Sequence, residues 1–264
     1  MHRMSPTELF EEARLDEAVA RQAAIVREHA DDIGERMLLC DLLAFTGDRA
    51  AVRQQLFALS TGTADLRPYL AEWHLLLAAD HRRHAGERPG FLIDPPPHAR
   101  RRLEVLDRLR AERAADLRDW IDAADEAAPW VEGHVDGRHF DGWRDADDLV
   151  GPMLEVFHSG RYYWAPVDQI RKLRVEPEET LRDRLYRPTT LWLTDGAEHE
   201  VFLPTLYAGT ADHPEEGIRS GAGMDWAERN GLLRGAGSRL YLFGEEELAP
   251  AEFRQVEVKR AYGH

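Results

Sequence analysis

The chain has 264 residues, 43% of them hydrophobic, which is enough to fill one large core or two modest ones. Acidic residues outnumber basic ones 49 to 34, for a net charge of −15 at neutral pH. A surface that acidic repels phosphate backbones and anionic lipid, so neither nucleic acid nor membrane is an expected partner. The best candidate for a basic patch, Arg100, Arg101 and Arg102, is followed at once by Glu104 and Asp107 and reads as a solvated helical face. The single cysteine, Cys40, excludes a disulfide framework within the chain and fits a reducing compartment. Lying in MLLCDLLAF (37–45), it reads as a small core hydrophobe rather than a nucleophile. The N-terminal stretch MHRMSPTELFEEARLDEA lacks the apolar run of a signal peptide, and no segment approaches the ~20 apolar residues that span a bilayer. A cytoplasmic protein is expected.

From Ser5 to about Ala128 the apolar period is helical. Ser5, Pro6 and Glu8 supply an N-cap, a first-turn proline and a capping-box acid. Leu15, Ala18, Val19, Gln22 and Val26 trace one helical face; Ile33, Met37, Cys40 and Ala44 trace the next, which stops at Gly47. Asp48 caps a segment that buries Ala51, Val52, Gln55, Leu56 and Leu59. Asp65 is the expected cap of the following helix, whose stripe is Leu66, Tyr69, Leu70, Trp73, Leu76 and Leu77. After the break DPPPH (94–98) one long charged helix is expected, with Leu103, Leu106, Leu109, Leu117, Trp120, Ile121 and Ala124 on its apolar edge. The joints RLDEA (14–18) and TGDRA (46–50) recur at close to the ~34-residue tetratricopeptide period, so this half reads as tetratricopeptide-like. Such helix pairs leave a concave surface suited to a peptide or helix.

Past Pro129 the period becomes two. PMLEVFH (152–158) and RYYWAP (161–166) flank Ser159-Gly160, a two-residue hairpin turn, and LWL (191–193) and VFL (201–203) flank Asp195-Gly196. Leu173 and Val175, Leu240 and Leu242, and Val256 and Val258 alternate in the same way. Short strands at close spacing predict an antiparallel sheet or partial barrel. The fold class is therefore α+β, with a helical, tetratricopeptide-like domain over 1–128 and a mainly β domain over 129–264.

The stretch 133–193 carries a dense set of motifs. They are Asp136-Gly137 with Phe140, Asp145-Ala146-Asp147, Gly151-Pro152 with Leu154-Glu155, the run Gly160 to Pro166, and Leu181-Arg182-Asp183. Together they resemble the C-terminal signature of the ImpE/TagJ family of type VI secretion accessory proteins, whose members also begin with a tetratricopeptide-like segment. The resemblance implies an accessory protein and not a catalyst. It further implies that the chain binds the N-terminal helix of the small contractile-sheath subunit, with consequences for sheath assembly or for disassembly by the cognate AAA+ ATPase.

The residues themselves offer little catalytic chemistry, and no cofactor is expected. His81 and His84 sit one helical turn apart, but HRRH lacks a metallohydrolase acid and reads as a basic helix end. The aspartates at 136, 141, 145, 147 and 148 do not have EF-hand spacing; they read as turns, caps or partners for Arg138, Arg144 or Arg161. GAGM (221–224) and RGAGS (234–238) lack the Lys-Ser/Thr ending of a phosphate loop and read as loop glycines. Two alternatives stay open: a metal-dependent enzyme with its site among residues 136–148, and a self-assembling helical scaffold. For partner contact the candidates are aromatic. On a strand Tyr162 and Trp164 share one face and Tyr163 the other, while Tyr69 and Trp73 share a helical face.

Overall fold

The computed structural model describes residues 4–62, 65–111 and 117–262. Over these residues, helix gives way to strand between Glu126 and Trp130. The helices are α1 (Pro6–Glu11), α2 (Leu15–Glu28), α3 (Ile33–Phe45), α4 (Arg49–Ser60), α5 (Arg67–His84), α6 (Pro97–Arg110) and α7 (Leu117–Glu126). The Ser5 hydroxyl accepts from the Glu8 amide while the Glu8 carboxylate accepts from the Ser5 amide at 2.6 Å, which satisfies two orphan donors of α1. Asp32 and Asp48 cap α3 and α4 in the same sense. Two expectations need correction. Asp65 does not cap α5; its carboxylate is held by the Arg67 side chain at 2.9 Å, and Leu66 is the cap residue. The single long helix is two, because α6 ends at Arg110, and residues 112–116 between it and α7 lie outside the described residues.

The strands are β1 (Trp130–Val135), β2 (Arg138–Asp141), β3 (Trp143–Asp145), β4 (Met153–His158), β5 (Arg161–Pro166), β6 (Ile170–Val175), β7 (Tyr186–Leu193) and β8 (Glu198–Pro204), then β9 (Met224–Arg229), β10 (Leu232–Gly237), β11 (Tyr241–Phe243), β12 (Glu246–Leu248) and β13 (Gln255–Tyr262). A one-turn helix, α8 (Glu216–Arg219), precedes β9. Eight strands form an antiparallel sheet in the order β2-β1-β13-β6-β7-β8-β4-β5. Asp136-Gly137 and Ser159-Gly160 take positive φ at both residues, the condition for a tight hairpin turn whose twist matches its strands. The glycines of RGAGS are not loop residues: most of that stretch lies on β10, paired with β9 across Asn230-Gly231.

Alternation gives the sheet two unlike faces. Met153, Phe157, Tyr162, Trp164 and Tyr186 join Trp73, Leu76 and Leu77 of α5 in a core continuous with the helical half. Leu154, Val156, Leu173, Leu191, Leu203 and Val256 face the other way and meet Trp143, Tyr241 and Phe243 of the three-stranded sheet β12-β11-β3. The edge of β5 is covered: the segment between α5 and α6 runs beside it, with the Gly90 amide donating to the Tyr162 carbonyl at 3.0 Å and the Trp164 amide to the Gly90 carbonyl at 2.9 Å. No helix of the described residues is long and apolar enough to cross a membrane.

Candidate functional site

Several motif residues meet near the seam between α5 and the β4–β5 hairpin, whereas Asp136 holds the amides of Arg254 and Gln255 and Phe140 packs in the core on the other face of the sheet. The α5 stripe that buries Trp73, Leu76 and Leu77 continues through Asp80 and buries Arg83. Arg83 Nε and Nη2 donate to Glu155 Oε2 on β4 at 3.1 and 2.8 Å, and Nη2 also reaches the Leu206 carbonyl at 2.9 Å. Arg239, fully buried, bridges Glu155 to Asp145 on β3. The other Glu155 oxygen accepts from the Tyr162 hydroxyl, which accepts in turn from Trp164 Nε1 at 2.6 Å. The Tyr207 hydroxyl donates to Asp145 Oδ1 at 3.0 Å. Burial pushes the Glu155 carboxyl up, but Arg83 and Arg239 outweigh it and hold the group well below the usual carboxylate range.

Neighbouring acids are engaged in the same way. Both Asp147 oxygens accept from Arg234 Nε at 2.9 Å, and the amides of Leu149 and Gly235 complete its shell. The partners of Asp145 and Asp147 are thus Arg239 and Arg234, distant in sequence, and not Arg138, Arg144 or Arg161. Arg144 reaches Asp125 and Asp148 instead, and Arg138 reaches Glu246. Arg102 does not belong to a solvated face: it is fully buried, pairs with Asp125 and donates to the carbonyls of Asp148 and Leu149. It lies under Gly151, where a Cβ would fall 2.6 Å from its guanidinium, so the Gly-Pro motif makes room for an arginine.

Such an arrangement holds elements together and leaves little for catalysis. A carboxylate kept ionised by two guanidiniums is a poor proton acceptor. Cys40 is buried, and burial pushes its thiol up to about 12, so little thiolate exists at neutral pH. Among the described residues no group of three or more His, Cys, Asp and Glu side chains is placed to hold a metal.

Of the five aromatics singled out in the sequence, Trp73, Tyr162 and Trp164 are buried, while Tyr69 and Tyr163 are half-buried. Tyr162 and Trp164 lie on the helix side and Tyr163 opposite, as alternation requires. Tyr162, Phe157, Tyr186 and Trp73 form a continuous ring layer with centroid separations of 6.2, 5.7 and 6.3 Å. Beside this layer a groove of about 930 Å³ opens between α5 and the sheet. Periodicity alone could have found Arg83 and Arg102, since both continue apolar helical stripes. Arg239 and Tyr207 leave no local signal, because only the tertiary fold brings them to Asp145 and Glu155.

Comparison with known proteins agrees with this geometry. Residues 137–257 match the family described as ImpE protein. The chain is 31% identical over 261 residues to the type VI secretion system accessory component TagJ of Pseudomonas aeruginosa, covering 97% of this chain and 92% of that protein. The crystal structure of protein VPA1032 from Vibrio parahaemolyticus superposes with a TM-score of 0.87 at 18% identity, over 97% of each chain, and shares the fold. The chain belongs to the ImpE family of type VI secretion accessory components.

Proposed function

We propose that this chain is a non-catalytic adaptor of the type VI secretion system. It binds the N-terminal helix of the small contractile-sheath subunit and thereby influences sheath assembly or its disassembly by the AAA+ ATPase. The observation that carries this reading is the fate of the motif residues: Asp145, Asp147, Glu155, Tyr162 and Trp164 are consumed in pairs that knit the strands together, and Glu155 ties them to α5 through Arg83. A family signature spent on rigidity fits a protein that presents a shaped surface and turns over no substrate. Trp73, Tyr162 and Trp164 serve as the packed wall behind that surface. The net charge of −15 favours a ligand helix with lysine or arginine on its polar edge, chiefly by speeding encounter.

Calorimetric titration of a peptide spanning the sheath subunit's first helix tests this directly. Saturable binding is expected, with association that slows as salt is added. Failure to bind that peptide, alongside normal binding to the sheath subunit with the helix deleted, rejects the reading.

A further inference from the structure

The geometry points to the groove between α5 and the β4–β8 junction as the docking site of this adaptor, with an amphipathic, basic helix as its occupant. This inference rests on the adaptor reading above and gives it a location.

One wall is the outer stripe of α5, Pro68, Ala71, Glu72 and Leu75, spaced at i, i+3, i+4 and i+7. Three of these four are exposed, and Leu75 is 47% exposed, among the more open large apolar side chains of the molecule. A ridge at this spacing is the natural counterpart of a second helix, and the small Ala71 beside Leu75 leaves a hole for a ligand side chain. The floor carries Phe157 and Phe202. These two residues are also the only register pair between β4 and β8, whereas β7 and β8 pair from Tyr186 to Trp192. The groove encloses about 930 Å³.

Charge selects the occupant. Four glutamates line the groove; Glu72 is paired with Arg182 at 2.6 Å and Glu176 with Arg174 at 2.8 Å, so Glu198 and Glu200 carry its uncompensated charge. Among the described residues no lysine or arginine pairs with Glu198 or Glu200, and both are exposed. A second copy of this chain would bring its own excess of acid to this rim and be repelled. A helix with apolar residues at i, i+3, i+4 and i+7 and a basic edge meets both the ridge and the rim.

The test uses the full chain, the sheath-helix peptide and three surface variants. Leu75→Arg places a cation and removes the apolar contact at the groove; it should weaken binding about tenfold or more. Glu198→Lys with Glu200→Lys should slow association about threefold or more at low salt, and the difference should vanish at high salt. Phe57→Arg alters an apolar side chain that is 72% exposed on α4, outside the groove, and should leave affinity unchanged. All four positions are exposed, so the fold survives, as circular dichroism would verify. If the wild type binds the peptide and Leu75→Arg and the double charge reversal bind equally well, the groove is wrong while the adaptor function stands. If Phe57→Arg alone weakens binding, docking lies on α4. If the wild type does not bind the peptide, both the location and the function fall.

Discussion

At the scale of single residues, the site is governed by Glu155. Its carboxylate pairs with two buried guanidiniums: Arg83, which otherwise donates to the Leu206 carbonyl, and Arg239, which also pairs with Asp145. Removing one partner of a buried ion network leaves uncompensated charge, so Glu155→Ala should cost ~3–5 kcal/mol at neutral pH, read by urea denaturation. The pH dependence follows from the depressed folded pKa of this group. Its contribution is fully present above the ordinary value of 4.5 and is lost as pH falls toward the lower folded value, because protonation then occurs first in the unfolded chain. The wild-type and Glu155→Ala stabilities should accordingly converge in acid. A constant difference down the acid limb would show that lost packing, and not charge, accounts for the cost. Helical periodicity was enough to place Arg83 on the buried side of α5, but the net charge and the HRRH run invite a surface reading. What decides between them is a carboxylate 72 residues away, and no local pattern carries that information.

At the scale of elements, the segment between α5 and α6 acts as a cover for β5. Gly90 alone brackets Tyr163, with one hydrogen bond to each neighbouring residue of the strand. It can come so close because it has no Cβ; one built there would sit 2.9 Å from the Tyr163 ring. Gly90→Val should lift this cover at a cost of ~1–3 kcal/mol from overpacking. The Trp164 amide, which donates to Gly90, should exchange faster in deuterium, while amides that pair β5 with β4 keep their protection. Unchanged protection at Trp164 would mean the cover tolerates the side chain. The strands themselves were legible: two-residue turns at Asp136-Gly137 and Ser159-Gly160 and strict alternation in RYYWAP fix register with little help from distant residues. The β9–β10 hairpin was not, because its strands are glycine-rich and half-exposed, and glycine in a strand reads as a loop. Asp65 misled for a different reason, since its carboxylate found a charged partner in Arg67 two residues on, and that contact won over capping.

At the scale of the whole molecule, the change of period at Pro129 marks where helix becomes strand, yet the apolar core does not stop there. Trp73, Leu76 and Leu77 pack with Phe157, Trp164 and Tyr186, and the Arg83–Glu155–Arg239 network crosses the same seam. Contacts of this kind are lost together, so the two halves should unfold in one transition despite their different architectures. The chain is suited to the test. Far-ultraviolet circular dichroism follows chiefly the helices of the first half, whereas five tryptophans, Trp130, Trp143, Trp164, Trp192 and Trp226, report on the second. Urea titrations followed by the two signals should give coincident midpoints and slopes. Glu155→Ala should shift both midpoints by the same amount, since the residue it removes belongs to the seam and not to either half alone. Separate midpoints in the wild type would show that the shared core does not couple the halves. A split that emerges only in the variant would show that the ion network, rather than apolar packing, supplies the coupling.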